Sequence, residues 1–229
     1  MPSQDTYPEL KTQDVLDLLN TEGIGQRARG ANQSKVYLFP DNSPPVAIKT
    51  PTGKGLWRWV SRFIIQREHE IYRILEMVPR VPHCYGLFQG QYLVIEYQPG
   101  GKTRREATSV PPGTTSPSEP VAGLRKTIAT MHRCGIAHAD LKRPDNVIHT
   151  PDNRLVVIDF GTALKRRTAR GGPLWRWAAQ QDWNAWAHYG WGKDPQLMPP
   201  AVARLYQRTF LERIAKTLRR AYKRVRGID

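Results

Sequence analysis

The chain has 229 residues, 39% of them hydrophobic and 24% charged, a balance that suits one compact unit with a sizeable core and argues against a disordered, collagen-like or coiled-coil chain. Cys84 and Cys134 are the only cysteines; two thiols without metal-ligand spacing make neither a disulfide framework nor a zinc site, and they suit a reducing compartment. The net charge of +15 is uneven, because residues 165–229 hold 15 Lys/Arg against 4 Asp/Glu, and so basic an end suits a polyanion: nucleic acid, anionic lipid or lipopolysaccharide, or an acidic protein.

In chain order, Met1 to Asn20 carries Asp5, Glu9, Lys11, Asp14 and Asp17 where a signal peptide needs an apolar run, and no stretch approaches the roughly 18 apolar residues that span a bilayer, so a cytoplasmic protein is expected. Thr12 to Asn20 has helical apolar spacing with Thr12 as its candidate cap. Val36–Phe39 and Val46–Lys49 are strand-like and flank the turn cluster Pro40 to Pro45. Trp57 to Met77 is predicted to be a helix that packs on the sheet through Val60, Phe63, Ile64, Ile71, Ile74 and Leu75. Tyr85–Phe88 and Tyr92–Tyr97 flank Gln89-Gly-Gln91 as a second hairpin. Strands with one inserted helix imply a small antiparallel sheet carrying that helix on one face.

From Gln98 to Pro120 the composition turns to Gly, Ser, Thr and Pro, a linker or surface loop. A helix over Val121–Arg133 follows, apolar at Leu124, Ile128 and Met131 and stopped by Gly135. Two strands are expected at Asn146–His149 and Leu155–Ile158, joined by Thr150-Pro-Asp-Asn153. Asp182-Trp-Asn-Ala-Trp186 lies in a Trp-rich stretch that reads as a core helix. His132, His149 and His188 have no ligand spacing and read as structural. From Pro200 onward an apolar stripe is surrounded by nine Lys/Arg between Arg204 and Arg226, either a terminal helix packed on the core or one lying on an anionic surface.

The chemistry is concentrated in His138-Ala-Asp-Leu-Lys142, Asp145-Asn146 and Val157-Ile-Asp-Phe-Gly161. A carboxylate after a helix, an Asn shortly after it and a second carboxylate at the end of the next strand can converge on a metal-bound phosphate. Each piece alone is weak, whereas the ordered set is hard to obtain by chance. Upstream, Val46-Ala-Ile-Lys49 supplies a lysine at the end of a strand-like run, and Gly23-Ile-Gly25 through Gly30 to Val36 reads as a divergent glycine-rich loop whose spacing is not Gly-x-Gly-x-x-Gly.

On these motifs the chain resembles the protein-kinase superfamily, whose catalytic loop reads His-Arg-Asp-Leu-x-x-x-Asn and whose third strand reads Val-Ala-Ile-Lys. The resemblance implies an α+β, two-lobed protein-kinase-like fold, with a small antiparallel sheet and one helix, plus a reduced, mainly helical C-terminal lobe. Residues 1–98 would be the N-lobe, 99–120 a linker and 121–229 the C-lobe. It implies ATP and Mg2+ as cofactors. Asp140 would be the catalytic base, Lys142 a contact to the transferring phosphate, and Asn146 and Asp159 the metal ligands. Gly25, Gly30 and Val36 would cover the nucleotide, Lys49 would anchor its phosphates with Glu68 as partner, and Glu96 and Tyr97 would form the hinge to adenine. Glu68 is preferred to Glu70 because Ile71, Tyr72 and Leu75 follow it at offsets of three, four and seven.

Asp140 and Asn146 stand one residue further apart than in the family pattern, which leaves either Lys142 or Arg143 to reach the phosphate. No Ala-Pro-Glu motif follows Gly161, so the expectation is a minimal kinase similar to the compact bacterial branch of RIO-type and lipopolysaccharide core (Kdo/heptose) kinases. The acceptor would be a protein Ser/Thr hydroxyl or a lipopolysaccharide sugar, with peripheral contact to an anionic inner membrane face. The competing reading is a pseudokinase-type adaptor that binds a polyanion through the basic end. Nucleic acid is the weaker partner, because no nucleic-acid motif accompanies the charge.

Overall fold

The computed structural model describes residues 7–20, 26–27, 34–102, 116–192 and 194–206. The architecture is mixed α and β. Strands β1 (Gln26–Arg27), β2 (Ser34–Phe39), β3 (Val46–Pro51), β4 (Cys84–Phe88) and β5 (Tyr92–Glu96) form one antiparallel sheet in the order β1-β2-β3-β5-β4. Both hairpins fall where the turn clusters separate alternating apolar runs. β3 is buried along its whole length, as a strand flanked on both sides and covered by a helix must be.

The covering helix is α2 (Gly55–Ile74), preceded by α1 (Thr12–Asn20) near the N-terminus. In α1, Thr12 is the first helical residue and not the cap; Asp14 turns back to accept the Lys11 N–H at 2.9 Å, which supplies the capping interaction. In α2 the inward residues are Ser61, Ile65, Glu68, Ile71 and Tyr72, so the buried stripe differs from the predicted one and Phe63 is left 54% exposed. A hydrophobic count along the sequence cannot anticipate this rotation, because a glutamate and a serine hold the inner face.

After β5 the chain runs through Tyr97 to Gly100 and immediately pairs again. β6 (Gly101–Lys102) lies antiparallel to β8 (Val147–His149), which in turn pairs with β9 (Leu155–Val157). This strand falls inside the segment expected to be linker. Gly100 has φ +138°, and a Cβ there would sit 2.3 Å from the His149 carbonyl oxygen, so the crossing requires glycine.

Helix α3 (Glu119–Arg133) buries Leu124, Ile128 and Met131 and closes at Gly135, whose φ of +82° is the left-handed stop that the sequence places there. β7 (Ile136–Ala137) pairs with β10 (Leu164–Lys165), and α4 (Pro173–Trp191) packs against α3. The tryptophans divide: Trp186 and Trp191 are buried and the Trp186 indole donates to the Val121 carbonyl at 2.9 Å, whereas Trp57, Trp59 and Trp177 are exposed, so the expected core role holds for only part of the set. The last described helix, α5 (Pro200–Leu205), buries Val202. Most of the basic stripe, residues 207–229, lies outside the described residues, as do Gly25 and Gly30. No helix among the described residues is long and apolar enough to cross a membrane.

Candidate active site

Between the five-stranded sheet and the β8–β9 segment lies a cavity of about 530 Å3. Val36, Leu38, Ala47 and Ile95 give it an apolar side, and Lys49, Glu68, Asp140, Asn146 and Asp159 line it with charge and polar oxygen. Glu96 and Tyr97 lie at its edge, with Gln98 beside them.

Lys49 sits mid-strand in β3, so its side chain leaves the sheet toward α2 and is buried there. Its Nζ lies 2.6 Å from Glu68 Oε1 and 3.0 Å from Asp159 Oδ1. Burial alone would lower the Lys49 pKa, but the two carboxylates outweigh it and hold the ammonium above its ordinary pKa. Lys49 in turn holds the Asp159 carboxyl below the usual carboxylate value against the opposing effect of burial. Glu68 is nearly inaccessible, and burial pushes its pKa up while Lys49 opposes the rise. Glu68 Oε1 also accepts the Phe160 N–H at 3.0 Å, which ties α2 to the Asp-Phe-Gly turn.

That turn is held tightly. Asp159 has φ +66°, a left-handed conformation that is uncommon for a residue other than glycine. Phe160 is fully buried, edge-on to Tyr72 at 5.0 Å and tilted on His138 at 5.0 Å. The His138 ring bridges two segments of the site: Nδ1 accepts the Asp140 N–H at 3.4 Å, which leaves Nε2 to donate to the Ile158 carbonyl at 2.9 Å.

Asn146 lies in the short 3-10 turn Pro144–Asn146 and not in the following strand. Its Nδ2 donates to the Asp140 carbonyl at 2.9 Å and to Asp140 Oδ2 at 3.3 Å. Pro144 explains how the extra loop residue is absorbed. A residue before proline is driven to extended backbone, and Arg143 has φ −78° and ψ 122° before the chain turns. The consequence is that Arg143 lines the cavity, its Nη1 3.7 Å from Asp140 Oδ2, whereas Lys142 does not line it.

One residue of the site had been given no role. Asp182, fully buried in α4, accepts the His138 N–H at 2.8 Å and the Ala139 N–H at 2.9 Å, and its Oδ2 lies 2.9 Å from His132 Nε2. It therefore fixes the backbone just before Asp140, where Ala139 has φ +71°. The signal was present: Asp182 is the only acidic residue between Phe160 and Lys193, in the run 178–187 that is otherwise Ala, Trp, Gln and Asn. A buried carboxylate among such residues needs several donors. His132 serves as one of them.

The donor set suits magnesium better than a transition metal. Among the described residues no group of three or more His, Cys, Asp or Glu could hold a metal ion, whereas magnesium takes one or two hard protein oxygens and fills its shell with phosphate and water. The Asp159 carboxylate and the Asn146 amide are oxygen donors of that kind, and both line the cavity.

No family model matches the chain. Among curated proteins it is 30% identical over 113 residues to the serine/threonine-protein kinase ppk34 of Schizosaccharomyces pombe, covering 44% of this chain and 30% of that protein. It is 28% identical over 174 residues to the maternal embryonic leucine zipper kinase of Danio rerio, covering 75% of this chain and 24% of that protein. The serine/threonine-protein kinase cds1 of S. pombe is 30% identical over 104 residues, covering 44% of this chain and 22% of its own length. These distant relatives are all protein kinases. The chain matches less than a third of the length of each, and the likeness is to the superfamily at large and singles out no branch.

Proposed function

We propose that the protein is an ATP- and Mg2+-dependent phosphotransferase that moves the γ-phosphoryl group of ATP to a hydroxyl acceptor, working as a two-lobed kinase-like unit with residues 1–98 and 121–229 on either side of the cleft. The observation that carries this reading is Lys49, placed between Glu68 at 2.6 Å and Asp159 at 3.0 Å on the wall of the cavity. A lysine held charged and oriented in this way suits the nucleotide phosphates. The apolar side at Val36, Leu38, Ala47 and Ile95 suits the base. The Glu96 and Tyr97 N–H groups donate to the His83 and Pro45 carbonyls at 2.8 and 3.0 Å, so a hinge donor to adenine would come from Gln98.

Asn146 and Asp159 would hold magnesium, which when bound neutralises charge on the phosphates. Asp140 orients the acceptor hydroxyl and takes its proton as the acceptor oxygen bonds to the γ-phosphorus and the bond to the ADP oxygen breaks. Arg143, in place of Lys142, faces the transferring group. Asp182 and His138 act as positioning residues for Asp140.

The acceptor is a protein Ser/Thr hydroxyl or a phosphorylated sugar such as those of lipopolysaccharide. An anionic acceptor is supported by Lys165, Arg166, Arg167, Arg170 and Arg176, of which Lys165 pairs with Ile136 of β7, with no acidic residue between Phe160 and Gln181. Incubation with labelled ATP and magnesium, with lipopolysaccharide, a protein extract, and enzyme alone, tests the proposal. Label is expected on one of the three; no transfer by a protein that binds ATP would overturn the catalytic reading.

A further inference from the structure

We propose that the start of α2 is a docking surface for an anionic lipid bilayer. Four large apolar side chains are crowded there in water: Leu56 is 73% exposed, Trp57 75%, Trp59 64% and Phe63 54%. Leu56, Trp59 and Phe63 recur at offsets of three and seven and so share one face of the helix. The Trp59 and Phe63 rings lie nearly parallel, 6.0 Å apart. Glu68 is on the opposite, inward face. A surface that engages the aromatic stripe thus leaves the Lys49 cavity open.

The charge around the stripe selects the partner. Lys54, Arg58 and Arg62 are exposed beside it, and no acidic residue occurs from Asn42 to Arg67. Two of these cations sit at the positive end of the α2 dipole, whose first turn contains no acidic residue. That placement is locally unfavourable, and an anionic surface offsets it. The arginines are held in place: Arg58 Nη2 donates to Gln91 Oε1 at 3.0 Å and Arg62 Nε to the Gly90 carbonyl at 3.0 Å. Tryptophan and phenylalanine set at the depth of acyl chains, with arginines at headgroup level, are the composition of an interfacial helix. A second copy of the chain is a poorer occupant, because self-pairing would bring two acid-free basic patches together.

The interaction does not depend on phosphoryl transfer, so it is measured without nucleotide on the full chain. Co-sedimentation with vesicles of phosphatidylcholine and phosphatidylglycerol is expected, with little binding to phosphatidylcholine alone. Trp59→Glu with Phe63→Glu changes exposed positions only; its melting temperature should match the parent, and its affinity for the anionic vesicles should fall about tenfold or more. Arg58→Ala with Arg62→Ala should weaken binding at low salt and flatten its dependence on salt. The proposal is overturned by absence of anionic-vesicle binding, or by undiminished binding of the Glu double variant, which would move the interaction to the basic residues from Arg204 to Arg226. It is equally overturned if the patch instead drives a concentration-dependent dimer that the double variant abolishes.

Discussion

The Asp182 carboxylate accepts the backbone N–H of His138 at 2.8 Å, and so a residue in α4 sets the entry to the loop that carries Asp140. Asp182→Asn keeps the shape but turns an N–H2 toward groups that are themselves donors. One buried donor loses its acceptor, at a cost of roughly 1–3 kcal/mol. Thermal unfolding should show the loss, and phosphoryl transfer should fall with it. A variant that melts with the parent would remove Asp182 from this role.

Replacement of Lys49 should separate stability from catalysis. Lys49→Met leaves Glu68 buried without its cation, so the variant is destabilised, more at alkaline than at acidic pH because Glu68 can then take up a proton. Adding Glu68→Gln should restore most of the melting temperature and none of the phosphoryl transfer. Recovery of transfer in the double variant would contradict the phosphate-anchoring role.

Asp159 gives a pH signature. Its folded pKa is depressed by Lys49, so its stabilising contribution is complete above the ordinary aspartate value and is lost as pH falls through the depressed one. The melting-temperature difference between the parent and Asp159→Asn should therefore be constant near neutrality and shrink in acid. A difference that grows with acidity would reverse the assignment.

Two substitutions, one in the loop that carries Asp140 and one in the Asp-Phe-Gly turn, should dissociate binding from chemistry. Asp140→Asn should cut transfer about 10²-fold or more with nucleotide affinity retained, whereas Asp159→Asn should weaken magnesium-dependent nucleotide binding as well. Isothermal titration beside a transfer assay distinguishes them.

Arg143→Ala should lower the transfer rate more than Lys142→Ala, because Arg143 lines the cavity beside Asp140. The loop motif alone favours Lys142, and the reverse order of effects would restore it.

Local signals were legible where one element sufficed. The hairpins around Pro40–Pro45 and Gln89–Gln91 and the α3 stop at Gly135 follow from spacing, while the preference for Glu68, which lies 2.6 Å from Lys49, comes from the family resemblance. What the sequence hid depends on contacts far along the chain. The inward face of α2 is set by a glutamate that meets a lysine 19 residues away, so an apolar count misplaces Phe63. Asp182 acts 44 residues from His138, and β6 exists only because β8 offers it an edge. The Lys142 and Arg143 alternative turned on a proline-imposed backbone angle, which a motif aligned by letters does not register.

Gly100 makes the cleft's rim and its floor one mechanical part. The chain is fastened on one side by the Tyr97 N–H to the Pro45 carbonyl at 3.0 Å and on the other by the register of Gly101 with His149. Gln98 through Gly100 is the segment between these two fastenings, and β8, the strand that receives it, begins directly after Asn146. On the proposed reading Asn146 is a magnesium ligand, so opening the cleft to release nucleotide would pull on it and couple that step to the Asn146–Asp140 contact. A methyl group at Gly100 would be forced against the His149 carbonyl and would push the rim away from the strand that follows Asn146.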